Sequence, residues 1–264
     1  MKKPYLKKVY VFVSSAIIFL LHLPFVFARV KPAVDLKMKP RPVSVETSYT
    51  GDSTVNTLKT TIGNSISSLY EALRLNLMGL SQQAFDYAMK GFDYLVKNGK
   101  VANDKIISIA DFSQPSSNKR LYIIDLANNQ VLFNTYVAHG MNTGAEYAKT
   151  FSNIPGSDQS SPGFYETMGT YIGHNGYSMQ LQGLENGIND NANRRAIVMH
   201  GAVYVSENFI HTRGYLGRSW GCPAVPEKLN KPIIDKIKNG TCLFIYSPDK
   251  NYLNRSGILH PAGS

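Results

Sequence analysis

From Thr54 the apolar positions Val55, Leu58, Ile62, Ile66, Leu69, Leu73 and Leu77 recur at steps of three and four, which predicts a helix running to about Met78. Ser81 then reads as the N-cap of a second helix, with Ala84, Phe85, Ala88, Met89, Phe92, Leu95 and Val96 on its inner face and Gly99 as its stop. After the polar stretch DFSQPSSNKR the pattern shortens to period two and brief apolar runs. Segments 121–126 and 131–138 flank an Asn128-Asn129 turn and predict a β-hairpin. In GFYETMGTYIGHNGYSMQLQGL, glycines at short intervals are expected to break up β-type segments. Further strands are expected at 196–199 and 242–246, with a short helix over 232–238 that ends at Gly240. The chain therefore divides near residue 110 into a helical part and a β-rich part, an α+β fold, with no internal repeat.

The N-terminal residues follow neither pattern. Lys2, Lys3, Lys7 and Lys8 precede an almost uncharged run, 9–27, that closes on Val26-Phe27-Ala28. This is the texture of a secretory signal cleaved after Ala28. The run also approaches the length of a bilayer span, so an uncleaved membrane anchor through residues 9–27 stays open. Both readings export the rest of the chain, to the periplasm or cell envelope. Residues 29–53 are proline-rich and then small and polar, a linker. The expected organisation is thus 1–28 signal or anchor, 29–53 linker, 54–110 helical segment, 111–252 β-rich domain and 253–264 tail.

The 43% apolar and 11% aromatic content excludes general disorder. Removal of residues 1–28 takes four lysines and no acid, and lowers the formal charge from +10 to +6. That excess suits an acidic cell wall or an anionic membrane face, and export disfavours nucleic acid as a partner. The two cysteines differ in context. Cys242 lies in the apolar TCLFIY, a buried strand, and Cys222 in a loop flanked by glycine and proline, so a disulfide between them is disfavoured.

That loop, GRSWGCPAVP, carries the candidate chemistry. A thiol with an ordinary pKa of about 8.5 is only slightly ionised at neutral pH and attacks a carbonyl well only with help from a base. His200 lies 22 residues upstream in RRAIVMHGAVYV, at the expected end of the 196–199 strand and directly before Gly201. A cysteine in an exposed loop together with a histidine at a strand end fits Cys/His nucleophilic catalysis. Gly221 allows close approach to the main chain, and the amides of Gly221 and Cys222 are candidate oxyanion donors. No acidic residue stands at an evident third position; the Gly201 carbonyl is the candidate that orients the imidazole. Each residue also has a structural reading, Cys222 as a buried turn residue and His200 as a strand cap.

HGAVYV followed by GRSWGCPAVP resembles the His-Gly and Ser-x-Gly-Cys signature of the L,D-transpeptidase (YkuD-like) catalytic domain. The segments DFSQPSSNKRLYIIDLANNQVLFNTYVAHG, SNIPGSDQSSPGFYET and GLENGINDNANRRAIVMHG extend the resemblance, over about residues 80–255, to the murein L,D-transpeptidase catalytic domain branch. The resemblance implies a β-rich catalytic domain over 111–252 that acts on peptidoglycan stem peptides, with Cys222 as nucleophile, His200 as base, and Ser219 and Gly221 as the residues before the cysteine. It requires no cofactor and no metal. Many members of the family carry histidine before the Gly-Cys pair and arginine two residues after the cysteine, where this chain has Trp220 and Ala224. Arg218 and Arg213 are the candidates by proximity to replace the arginine, and with Trp220 they are the candidate substrate-binding residues.

The rival readings are an L,D-carboxypeptidase or related cysteine hydrolase of wall peptides, an inactive wall-binding protein, and a metal site built from His139, His174, His200, His211 and Cys222. The spacings of the last match no compact ligand pattern.

Overall fold

The run IISIAD forms a strand, β1 (Ile106–Asp111), which takes parallel pairing from β8 (Cys242–Tyr246) on one side and antiparallel pairing from β2 (Leu121–Asp125) on the other. β1 stands inside an eight-stranded sheet that also holds β3 (Gln130–Thr135), β4 (Gly163–Gly173), β5 (Gly176–Gly183), β6 (Val198–Ala202) and β7 (Ala224–Pro226), in the order β3-β2-β1-β8-β4-β5-β6-β7. The computed structural model describes residues 66–261. The expected signal or anchor, the linker and positions 54–65 of the first predicted helix lie outside the described residues.

Alternate residues of the central strands go to two different cores. Ile107 and Ile109 of β1 and Cys242, Phe244 and Tyr246 of β8 join a cluster with α1 (Gln82–Lys97), which contributes Ala84, Phe85, Ala88, Phe92 and Leu95. Ala110, Leu243 and Ile245 face the opposite way, into a cluster with Ile233, Ile234 and Ile237 of α3 (Glu227–Ile237) and with Cys222. A strand covered on both faces reads as an unbroken apolar run rather than an alternating one. That is why IISIAD shows no period-two signature, and why the expected boundary at residue 110 falls inside β1.

α1 forms as its pattern predicts. Ser81 Oγ accepts a bond from the Ala84 amide at 3.1 Å, and the helix ends at Lys97, before Gly99 at φ 62°. Gly91 lies on the buried face, where a Cβ would come within 2.0 Å of Phe164 Cζ. The absence of a side chain there sets how closely α1 approaches the sheet, and Phe164 in turn stacks on Phe244 at 4.1 Å.

The first predicted helix does not run to Met78. The helical turn ends at residue 72, Arg74 takes φ 52°, Leu75 bonds back to the Tyr70 carbonyl, and Leu77 is solvent-exposed. Nor do the glycines break β4 and β5: the two pair from Tyr165↔Gly183 to Gly173↔Gly176, with a bulge between Thr167 and Thr170 that absorbs the irregularity. The helix expected from Pro232 starts five residues earlier, directly out of β7, and holds Pro232 inside it. The chain after residue 252 is tied in as well. Glu185, buried after β5, accepts from the Phe164 amide, from Tyr252 of α4 (Lys250–Arg255) and from Ser256, while Ile258 and Leu259 complete the α1-side core.

Candidate active site

His200 lies within β6, paired to Ser178 of β5 and to Ala224 of β7. It was expected at a strand end, but β7 supplies partners through Ala202 and the strand continues. The side chain is buried, and Nδ1 lies 3.0 Å from the Gly201 carbonyl. A carbonyl only accepts, so Nδ1 carries the proton and donates it, which leaves the lone pair on Nε2. Burial pushes the imidazole pKa below its usual value, opposed by the Gly201 bond. Gly201 has a further duty: a Cβ there would stand 2.9 Å from Asn230 Cβ, so its lack lets α3 pack against β6.

Cys222 lies two residues before β7, the strand that pairs with β6 through His200 and Ala224, and is itself buried. Its sulfur sits against the segment that leads into β6, with the Val198 amide 3.5 Å from Sγ and the Ala196 carbonyl at 3.9 Å. Burial raises the thiol pKa; the Val198 amide and the Arg195 charge pull it down. With the thiol raised and the imidazole lowered, the resting pair is neutral thiol and neutral imidazole.

The turn before Cys222 is closed by Ser219. Its hydroxyl donates to the Cys222 carbonyl at 2.6 Å and accepts from the Gly221 amide at 3.1 Å. Gly221 takes φ 115°, and a Cβ there would meet Gln159 O at 2.8 Å, so glycine is required twice over. The bond to Ser219 also corrects one expectation, because the Gly221 amide is already spent. The Trp220 and Cys222 amides are the ones this turn has left for an oxyanion.

Two further segments brace the turn from outside. Ala138 bridges to Ala224 and Gly140 to Ser219, so residues 138–140 run along the far edge of β7. Ser160, fully buried, accepts from the Gly140 amide and donates to the Gly221 carbonyl, both at 3.0 Å. His139 is buried with Nδ1 2.7 Å from Arg120 Nη2 and Nε2 3.2 Å from the Gly144 carbonyl. Arginine only donates and the carbonyl only accepts, so the ring is neutral with its proton on Nε2. Burial, then the Arg120 charge, push its pKa down to about 3. Arg120 is itself wholly buried, bonded to the carbonyls of Val137 and Gln114 and stacked over Phe112.

The remaining predicted residues scatter. Trp220 is 73% exposed beside the turn. Arg218 donates to the carbonyls of Met141 and Gly144, bracing the 138–144 segment. Arg213 lies over Phe209 on the exposed short helix α2 (Glu207–Arg213), which also carries His211. The arginine that reaches the Cys222 turn is Arg195, whose Nη2 would stand 3.4 Å from a Cβ on Gly221 and whose charge lowers the Cys222 pKa. His174 stands exposed in the β4–β5 turn, and both ring nitrogens of His139 are engaged, so the histidines do not converge. Among the described residues no three His, Cys, Asp or Glu side chains group as metal ligands. Cys222 and Cys242 are both free and belong to opposite cores. Arg195, Ser160 and Arg120 escaped the sequence reading, and His139 entered it only as a candidate metal ligand; each bonds at least one partner 17 or more residues away.

The fold and site define a class: an α+β domain with a buried cysteine in a glycine turn and a neutral histidine on the adjoining strand. The sequence pattern described as L,D-transpeptidase catalytic domain matches residues 77–246, well over half of the chain, and the chain belongs to that family. Among solved structures it is similar to an L,D-transpeptidase from Mycobacterium smegmatis, at 10% identity and TM-score 0.34, covering 54% of this chain and 59% of that one. It is also similar to an L,D-transpeptidase from Stackebrandtia nassauensis, at 16% identity and TM-score 0.32, covering 69% and 76%. A third, from Xylanimonas cellulosilytica, gives 14% identity and TM-score 0.31, covering 53% and 60%. No curated protein matches the sequence.

Proposed function

We propose that the protein is a peptidoglycan L,D-transpeptidase that works by cysteine acyl transfer outside the cytoplasm, in the periplasm or cell envelope. The observation that carries the reading is the orientation of His200: with Nδ1 bonded to Gly201, the base is Nε2, on the strand whose Val198 amide lies against Cys222 Sγ. Its lowered pKa keeps that base unprotonated at neutral pH.

The donor is a tetrapeptide stem. As Sγ attacks the carbonyl before the terminal D-amino acid, the thiol proton passes to His200 Nε2, and the Trp220 and Cys222 amides receive the developing oxyanion. The amide bond to the D-amino acid breaks, the imidazolium gives its proton to the leaving amine, and a thioester remains on Cys222. An acceptor amine then attacks the thioester and cedes a proton to His200; the C–S bond breaks and the sulfur takes the proton back. Exposed Trp220 offers an apolar platform at the mouth of the site for the incoming chain. The charged and apolar N-terminal pattern, 1–28, supports export, with residues 9–27 as the tether if the segment is kept.

The test is to incubate the mature protein with disaccharide tetrapeptide, with and without an added amine, and identify the products by mass. Cross-linked or amine-exchanged product, missing from Cys222→Ala, supports transpeptidation. Tripeptide alone assigns the protein as a hydrolase, and unchanged substrate in every condition refutes the enzyme reading.

A further inference from the structure

Many proteins that the Cys222 motif resembles carry an arginine two residues after the cysteine, and this chain has Ala224 there, buried in β7 with no charge to offer. We propose that Arg195 is a positioning residue for Cys222: it pins the 152–161 loop against the Cys222 turn and fixes a positive charge beside the sulfur. The inference rests on the reading of Cys222 as nucleophile.

Arg195 stands where the chain enters the backbone cradle of the sulfur. Ala196, the next residue, faces Sγ through its carbonyl, and Val198 faces it through its amide. The guanidinium reaches the turn itself, since a Cβ placed on Gly221 would be 3.4 Å from Nη2. Both forks are filled from the 152–161 loop. Nη1 donates to the Ser152 carbonyl and Ser161 Oγ, each at 2.8 Å; Nη2 donates to the Gln159 carbonyl at 2.6 Å and Ser157 Oγ at 3.2 Å.

Two consequences follow from that bond set. The four Nη hydrogens have four acceptors, so Arg195 cannot also clamp a substrate carboxylate through a two-pronged contact. And all four acceptors are neutral, so no bonded carboxylate cancels the charge, which is half-buried and weakly screened. The ionisable groups around the pair are Tyr165 from β4, Asp158 from the loop, His200 from β6 and Tyr204 just after it. Of these, Asp158 opposes the Arg195 charge, and the others are neutral near pH 7. A fixed cation there favours the thiolate over the thiol and offsets part of the burial that disfavours it.

The experiment is the pH profile of Cys222 alkylation by iodoacetamide, an uncharged reagent, in wild type, Arg195→Gln and Arg195→Lys, with Cys222→Ala as the background. Arg195→Gln is expected to move the midpoint to higher pH and slow labelling at pH 7 by at least about threefold. Arg195→Lys keeps the charge without the forks, so its midpoint stays near wild type while its melting temperature falls. An Arg195→Gln midpoint equal to wild type overturns the proposal, as does a lysine variant that shifts as far as the glutamine one. Failure of both variants to fold overturns it too, because the residue is then structural only. No substrate enters this assay, so failure of the transpeptidase reading shows separately, as absent product from a wild type whose Cys222 still labels.

Discussion

Ser219 serves the Cys222 turn from both ends, donating to one main-chain group and accepting from another. Its replacement by alanine leaves the Gly221 amide and the Cys222 carbonyl without that partner in a buried site, which costs about 1–3 kcal/mol. Ser219→Ala is therefore expected to lower thermal stability by that amount and the rate of acyl transfer by about tenfold or more, because the oxyanion amides shift with the turn. A variant with wild-type melting and rate would show that the turn holds its shape unaided. His200 sets the pH dependence: its pKa is lowered by burial, so the base protonates, and the rate is lost, only as pH falls below the ordinary histidine value of about 6.5. A pH–rate profile of the acylation step checks this, and an acid limb above that value would contradict it. Cys222, His200, Ser219 and Gly221 were visible as candidates in the sequence because they lie in two short motifs. Arg195 and Ser160 were not, because their roles come from bonds that span the chain.

At the scale of elements, the α1–sheet contact is the most exposed to test. Glycine inside a helix ordinarily costs about 1 kcal/mol relative to alanine, so Gly→Ala there stabilises. At Gly91 the new methyl would meet Phe164 at 2.0 Å, and Gly91→Ala is expected to reduce the melting temperature instead. A rise in thermal unfolding temperature would mean that α1 stands further from the sheet. α1 itself was legible because only one of its faces is buried, which gives a clean 3.6 period. The β2–β3 hairpin was legible from its turn. β1 was not, since burial on both faces erases alternation, and the β4–β5 pair was hidden by glycines that the bulge and the tight turn accommodate. Strand order was beyond the pattern altogether: the parallel pairing of Ile107 with Cys242 joins segments that no local signal connects.

For the molecule as a whole, the buried His139–Arg120 pair predicts how stability depends on acid. His139 has a folded pKa of about 3, against about 6.5 for an unfolded histidine. Above 6.5 neither state is protonated there, and the stabilisation is fully present. As pH falls from 6.5 toward 3 the unfolded chain binds a proton that the folded one excludes, and stability declines by up to about 5 kcal/mol. Denaturant unfolding between these pH values is expected to show the decline, and His139→Gln to flatten it; an equal slope in both proteins would place the acid sensitivity elsewhere. Neutral His139, bonded to the Arg120 cation, also braces the segment beside the Cys222 turn, so the same protonation would loosen the site. In the proposed reaction the acylated atom is Cys222 Sγ. Intact-protein mass after brief mixing with disaccharide tetrapeptide is predicted to show a stem-peptide adduct lacking the terminal D-amino acid. That adduct maps to the Cys222 peptide, forms slowly in His200→Ala and is absent in Cys222→Ala. Turnover by Cys222→Ala, or an adduct on another residue, would contradict it.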